Sequence, residues 1–87
     1  MSRWRHKPDL ASVESEDRTV VLDLDRLDLP PRLLEGAACL IWETVDGRTT
    51  EETVREVAGF FDLPPSEVEQ HVRSFVDEIG AQGLIVR

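Results

Sequence analysis

Several features that would point to a secreted or membrane protein are scarce in this sequence. The chain contains one cysteine, so a disulfide within it is excluded. No apolar run approaches the roughly 18 residues that a membrane-spanning helix needs. The first residues are basic but lack the apolar stretch that follows in a signal peptide. We therefore expect a cytoplasmic protein that does not associate with a membrane.

The residue patterns of catalytic and metal sites are also missing. The five glycines occur singly, which excludes a glycine-rich phosphate loop, and no Cys/His cluster could hold zinc. Cys39 lies in an apolar run, which favours a small buried side chain over a nucleophile. Adjacent acids such as Glu51 and Glu52 point in different directions on a helix and do not form a catalytic pair. We predict no catalytic residue, no metal ligand and no cofactor, and hence a protein that is not an enzyme.

Charge of one sign dominates the composition. The 18 acidic residues exceed the 10 basic ones and give a net charge of −8, which repels a phosphate backbone and argues against a nucleic-acid partner. Basic residues cluster at positions 3, 5 and 7, so we predict a flexible basic tail over residues 1–9. Residues 10–87 then form a single domain, because a chain of 87 residues has room for one modest core.

The first half of the domain shows the period-two alternation of strands. Residues 10–15 and 19–24 alternate apolar and polar side chains and are joined by a short polar turn, which predicts a hairpin. One face of the second strand carries Val20, Leu22 and Leu24.

A third strand is predicted after two prolines. Pro30 and Pro31 lack amide donors and do not suit a central strand, although an edge strand can begin there. Residues 31–35 therefore read as a short edge strand, while the same residues could also begin a helix.

The second half of the sequence has the spacing of three helices. The first runs from Gly36 to the turn at residues 46–47. In the second, Thr49 and Glu52 have the spacing of a capping box. In the third, Pro65 occupies the first helical position and Gly83 is suited to the C-terminal cap. The third helix has one apolar stripe, formed by Val68, Val72, Phe75, Val76 and Ile79.

Strands followed by helices predict an α+β fold. The order suggests a winged helix-turn-helix-like domain with a three-stranded antiparallel N-terminal sheet followed by three helices. Binding to DNA is again disfavoured, because the polar positions of the last helix carry four acids and one arginine, Arg73. These acids are Glu67, Glu69, Asp77 and Glu78.

From about Val20 onward the sequence resembles the PqqD-like family, the recognition elements for ribosomally synthesised and post-translationally modified peptides (RiPPs). No single motif is specific, and the resemblance depends on their order and spacing. The matching segments are residues 36–42, 45–47, 48–54, 71–79 and 83–85.

This resemblance implies a domain that binds the leader segment of a precursor peptide by strand addition. The leader would pair with the third strand and lie in the cleft between that strand and the last helix. The peptide-binding residues implied are Pro31, Arg32, Leu33 and Leu34 on the strand and Glu69, Val72, Arg73 and Val76 on the helix. The sequence departs from the family at Leu29-Pro30-Pro31, before the strand, and at His71, where an acid is common.

Each of these residues also has a purely structural interpretation. Leu33 and Leu34 could face either the cleft or the core, and Val72 and Phe75 favour the core. Arg73 could bind an acid of the leader or pair with an acid one turn away in its own helix.

The function implied is that of a non-catalytic peptide chaperone, present as a monomer or a strand-swapped dimer. Its partners would be a precursor peptide and a pathway enzyme such as a leader peptidase, a cyclase or a radical-SAM enzyme. The pathway could make a lasso peptide, another RiPP or pyrroloquinoline quinone. The turn at residues 45–47 lacks the cysteine common in the namesake family, which favours a different RiPP pathway.

Two alternatives belong to other functional classes. The first is a winged-helix protein–protein adaptor or regulator that binds no leader peptide. The second, a carrier protein, is disfavoured because no Asp-Ser-Leu-like attachment serine begins a helix.

Overall fold

The computed structural model describes residues 2–87 and confirms the predicted α+β order of strands followed by helices. Two short strands that the sequence did not predict lie at the ends of the chain. The elements are β1 (Arg5–His6), β2 (Leu10–Ser15), β3 (Arg18–Asp23), β4 (Arg32–Glu35), α1 (Ala37–Val45), α2 (Thr50–Phe61), α3 (Pro65–Ala81) and β5 (Ile85–Val86).

The three longer strands form one antiparallel sheet in the order β2-β3-β4. Val20 of β3 lies opposite Val13 of β2 on one side and opposite Leu33 of β4 on the other. The segment after the prolines is therefore a strand rather than a helix start, and it begins at Arg32, one residue after Pro31.

The helices cover the face of β3 that carries Thr19, Val21 and Asp23. Val21 is buried among apolar side chains, whereas the hydroxyl of Thr19 lies 2.9 Å from the sulfur of Cys39. Polar side chains can thus occupy the inner face, because each finds a partner there. Cys39 is buried, in agreement with its interpretation as a packing residue.

The opposite, outer face of the sheet carries an exposed apolar row. Val13, Val20 and Leu33 lie side by side across the three strands and are 71%, 39% and 53% exposed. We call these three residues the outer row.

The helix ends follow the predicted local signals. Thr49 and Glu52 form the complete capping box at the start of α2, and Pro65 opens α3. At the end of α3, Gly83 has a positive φ of 75°. The Gly83 amide donates to the Gly80 carbonyl and the Leu84 amide to that of Ile79, which together form a Schellman motif. The chain is thereby turned back toward β5.

The stripe of α3 forms the centre of the core. Val72, Val76 and Ile79 have no exposed surface, while Val68 and Phe75 at its margins are partly buried. The same cluster includes Ile41, Trp42 and Val45 of α1, Val54 and Val57 of α2, and Leu34 of β4.

The N-terminal segment, for which the sequence predicts a flexible tail over residues 1–9, makes contacts with the domain from Trp4 onward, and Met1 lies outside the described residues. Arg5 and His6 pair with Val86 and Ile85, so the C-terminal strand has a partner. The Trp4 amide donates to the Arg48 carbonyl at 2.8 Å, and its indole N–H donates to the Thr50 hydroxyl at 2.9 Å.

His6 strengthens this attachment. Its ring stacks on Trp42 at a centroid distance of 3.9 Å, and its Nε2 donates to the Trp42 carbonyl oxygen at 2.7 Å. The segment is held because its strand satisfies the backbone groups of β5 and because the His6 ring packs against the Trp42 ring.

Replacement of Trp4 by alanine tests this attachment. We expect Trp4→Ala to lower the free energy of unfolding by about 2 kcal/mol, less than for a fully buried tryptophan, because the ring is only partly buried. Urea unfolding followed by circular dichroism measures this change. The matched control is Phe60→Ala, which removes an aromatic side chain that is 70% exposed. Equal effects of the two substitutions would contradict the packing of the N-terminal segment.

Candidate functional site

The edge of β4 that faces away from β3 has no strand partner within residues 2–87. β4 pairs with β3 along its other edge. The Gly36 amide donates to the Asp17 carbonyl at 3.1 Å, which fixes the alternation of hydrogen bonds along the pair. The peptide groups of Arg32 and Leu34 therefore point toward β3. Those of Leu33 and Glu35 point outward, and their N–H and C=O groups are available to another strand.

An apolar groove lies beside the start of this edge. It has a volume of about 530 Å³ and separates the segment that leads into β4 from the end of α3. The groove is lined by Val21, Asp23, Leu29, Pro30, Pro31, Arg32, Leu33, Gln82 and Leu84. Leu29 and Leu33 are exposed in it, so the groove offers accessible apolar surface to a ligand.

Arg32 crosses from β4 to α3. Its guanidinium lies 2.9 Å from the Glu78 carboxylate, donates to the Gln82 side-chain oxygen, and lies 5.9 Å from the centre of the Phe75 ring. We call this set of contacts the Arg32 bridge. The Arg32 side chain is 27% exposed and that of Glu78 52% exposed, so the cation is the more buried partner.

The two flanks of α3 face different neighbours. Phe75, Glu78 and Gln82 lie on the flank toward β4, and the helical spacing places His71 on the same flank. Arg73 lies on the other flank, where it pairs with Glu69 at 2.9 Å and with Glu51 of α2 at 3.6 Å.

The predicted strand residues divide between groove and core. Pro31, Arg32 and Leu33 line the groove. Leu34 is 2% exposed and packs in the core, because its side chain shares the inner face with Thr19, the residue opposite it. Of the two leucines that could face either the cleft or the core, Leu34 packs in the core and Leu33 is exposed and lines the groove.

The predicted helix residues do not lie at the groove. Val72 and Val76 are 0% exposed and have no surface with which to contact a peptide, so their assignment is corrected to the core. Glu69 and Arg73 lie on the flank that faces α2. The α3 side chains that contact Arg32 are Phe75 and Glu78, and Gln82, just after the helix, both contacts Arg32 and lines the groove.

The sequence contains a partial signal for the side of α3 that lies toward β4. The residues on both sides of the apolar stripe of α3 are polar. Helical periodicity therefore limits the residues that can lie toward β4 to these two flanks, but it does not show which flank does so. Leu29 and Pro30 stand out in the sequence only as a departure from the family pattern, although they are exposed apolar residues next to an edge strand.

Asp23 lies at the inner end of the groove and holds the N-terminal segment. The Lys7 ammonium donates to both carboxylate oxygens of Asp23 at 2.9 Å and also lies 3.2 Å from Asp25. The hydrogen bond from Lys7 lowers the pKa of the Asp23 carboxyl below its ordinary value. The pKa of Lys7 is raised by the same contact.

Metal-binding and membrane-spanning features are absent from the described part of the chain. Residues 2–87 contain no group of His, Cys, Asp and Glu side chains placed to hold a metal ion. None of the helices described is long and apolar enough to cross a membrane.

Fold and groove together define a small winged-helix-like α+β domain whose open strand edge lies beside an apolar groove. The sequence model of the family described as Coenzyme PQQ synthesis protein D (PqqD) matches residues 18–85. The chain therefore belongs to the PqqD family, and the resemblance found in the sequence is confirmed.

The structure is also similar to a solved structure described as TbiB1 in complex with the TbiA(beta) leader peptide. The TM-score is 0.79, with 21% sequence identity over 93% of each chain. At this identity the similarity shows the fold. The search of curated proteins found no match.

Acid titration tests the contact between Lys7 and Asp23. Because the pKa of Asp23 is lowered in the folded state, its contribution to stability is present above the ordinary pKa of about 3.9 and is lost as the pH falls through the folded value. We expect Asp23→Asn to be less stable than the wild type at neutral pH, with a difference that narrows below about pH 4.

Urea unfolding over a pH series measures this difference. The control is Asp25→Asn, which removes a carboxylate that is 57% exposed and should give a smaller difference at neutral pH. Wild-type and Asp23→Asn curves that stay parallel down to the lowest pH would contradict the assignment.

Proposed function

We propose that this chain is a non-catalytic peptide-binding protein that holds the leader segment of a ribosomally made precursor by strand addition to β4. The observation that carries the proposal is the open edge of β4 beside an apolar groove, in a member of the PqqD family. The leader peptide bound to TbiB1, a protein of the same fold, supports it.

The geometry supports a short main-chain pairing. Leu33 and Glu35 each offer an N–H and a C=O to an added strand, whereas Pro31 has no N–H to give. The amides that β4 donates to the added strand are therefore those of Leu33 and Glu35. The added strand continues past Arg32 toward Pro30, where the apolar groove at Leu29 and Pro30 accepts one of its side chains. Main-chain hydrogen bonds would supply affinity, and the groove would supply specificity.

Charge favours this function over DNA binding. A winged-helix protein that reads DNA places basic residues against the phosphates, whereas this chain carries a net charge of −8. Arg73, the basic residue of α3, is already paired with Glu69 and Glu51. The last helix therefore offers no unpaired arginine or lysine to a phosphate backbone.

The partner enzyme would act on the part of the precursor that extends beyond the groove. A leader peptidase, a cyclase or a radical-SAM enzyme fits this role in the cytoplasm. The Val45-Asp46-Gly47 turn, which lacks the cysteine common in the namesake family, favours a RiPP pathway other than that of pyrroloquinoline quinone. A bound leader would also cover the open edge of β4 and oppose strand pairing between two copies.

Titration of labelled leader peptides tests the proposal. Fluorescence anisotropy with the leaders of short precursor peptides encoded beside this gene should give saturable binding. A shuffled peptide of the same composition is the control. No binding to any of these leaders at high micromolar concentration would overturn the proposed function.

A proline at Leu33 tests strand addition itself. Leu33→Pro removes an amide that points away from β3, so the existing sheet keeps its hydrogen bonds while the added strand loses one. We expect leader affinity to fall by about tenfold, because a carbonyl of the docked peptide is left unpaired.

Two control variants separate this effect from others. Leu33→Ala removes the side chain and keeps the amide, and Arg73→Ala changes the flank of α3 that faces α2. Both should bind the leader more tightly than Leu33→Pro. If Arg73→Ala weakens binding more than Leu33→Pro does, the peptide does not pair with β4.

A further inference from the structure

The Arg32 side chain lies where the side chains of an added strand must go. Arg32 is directly opposite Val21, whose side chain is buried on the inner face of the sheet, so Arg32 also projects toward the helices. A residue of an added strand that lies opposite Arg32 projects to the same face, with its Cβ about 4.5–5.5 Å from that of Arg32. It therefore meets the guanidinium of the Arg32 bridge.

From this geometry we infer that Arg32 selects an acidic side chain, Asp or Glu, at the peptide position opposite it, and that this carboxylate replaces Glu78 as its partner. The inference depends on the proposed function and specifies the chemistry of the peptide that the site accepts.

Burial decides which member of the bridge receives the new partner. A docked strand removes water from the Arg32 side chain, which is already only 27% exposed and cannot lose its charge. A buried cation without an anion is strongly destabilised. Glu78 is 52% exposed on the surface of α3 and can remain hydrated after it is displaced.

The planar guanidinium also suits the exchange. A carboxylate can accept two parallel hydrogen bonds from Arg32 while Phe75 stays beneath the cation. A lysine or arginine of the peptide at this position would instead meet a like charge at short distance. A neutral side chain there would offer the guanidinium no charge in exchange for Glu78.

The surrounding charge limits the preference to one acid. The chain has a net charge of −8, and the site itself already holds two carboxylates, those of Asp23 in the groove and Glu78 beside Arg32. A run of acids in the peptide would be repelled, whereas a single carboxylate at Arg32 is attracted locally. Side chains of the added strand point alternately to the inner and the outer face. The next inward side chain of the peptide, on the side of Pro30, therefore meets the apolar groove. The preferred peptide thus carries one acid two positions from an apolar residue.

Selection from a random peptide library tests this preference and does not require the natural leader. A display library of extended peptides is selected on the immobilised wild-type protein and, in parallel, on Arg32→Glu. We expect Asp or Glu to be enriched two positions from an apolar residue on the wild type. On Arg32→Glu the acid should be lost and replaced by Lys or Arg.

The outcomes distinguish this inference from the proposed function. Peptides that bind the wild type without an acid, or that keep the acid on Arg32→Glu, would overturn the selectivity and leave strand addition intact. Absence of any enriched peptide on the wild type would overturn both.

A second variant avoids dependence on the folding of Arg32→Glu. Glu78→Gln removes the competing carboxylate, so an acid-containing peptide from the selection should bind about two- to fivefold more tightly than to the wild type. Its amide counterpart, with Asn or Gln in place of the acid, should gain nothing. The matched control is Glu69→Gln, which makes the same change on the flank that faces α2. Equal gains for the acid and the amide peptide, or for the two variants, would contradict the exchange.

Discussion

Burial of the α3 stripe is the interaction on which the rest of the structure depends. Val72, Val76 and Ile79 are fully buried, and each contributes about 1.5–3 kcal/mol through removal of its apolar surface from water. Through this stripe α3 packs against α1, α2 and β5. The position of the helix is thereby fixed relative to the sheet. The same packing holds the end of α3 beside β4, and the loop residues Leu29, Pro30 and Pro31 complete the groove between them.

Local signals made the helices predictable. The capping box at Thr49, the proline at position 65 and the glycine at position 83 act within one or two turns, so each can be read from neighbouring residues. The third strand was harder, because four residues can satisfy either a strand or a helix start. Its pairing with β3, a tertiary contact, decides the matter.

Long-range partners explain what the sequence did not reveal. Thr19 and Asp23 lie on the buried face of β3 because Cys39 and Lys7 meet them, and no periodicity within β3 predicts either contact. The N-terminal segment is attached for a similar reason, since the partner of Arg5 is Val86 at the far end of the chain. Of the site, the strand side was largely predictable. The helix side was not, because the choice of flank depends on which side of α3 meets α2.

The outer row has a consequence for the behaviour of the protein at high concentration. Val13, Val20 and Leu33 form an apolar surface that two copies could bury against each other. Such contact would bring together two molecules that each carry a charge of −8. Electrostatic repulsion, which extends over about 10 Å at 0.1 M salt, therefore acts as a spacer between these surfaces. The acidic composition that disfavours nucleic-acid binding thus also favours colloidal stability. Added salt weakens this repulsion between copies.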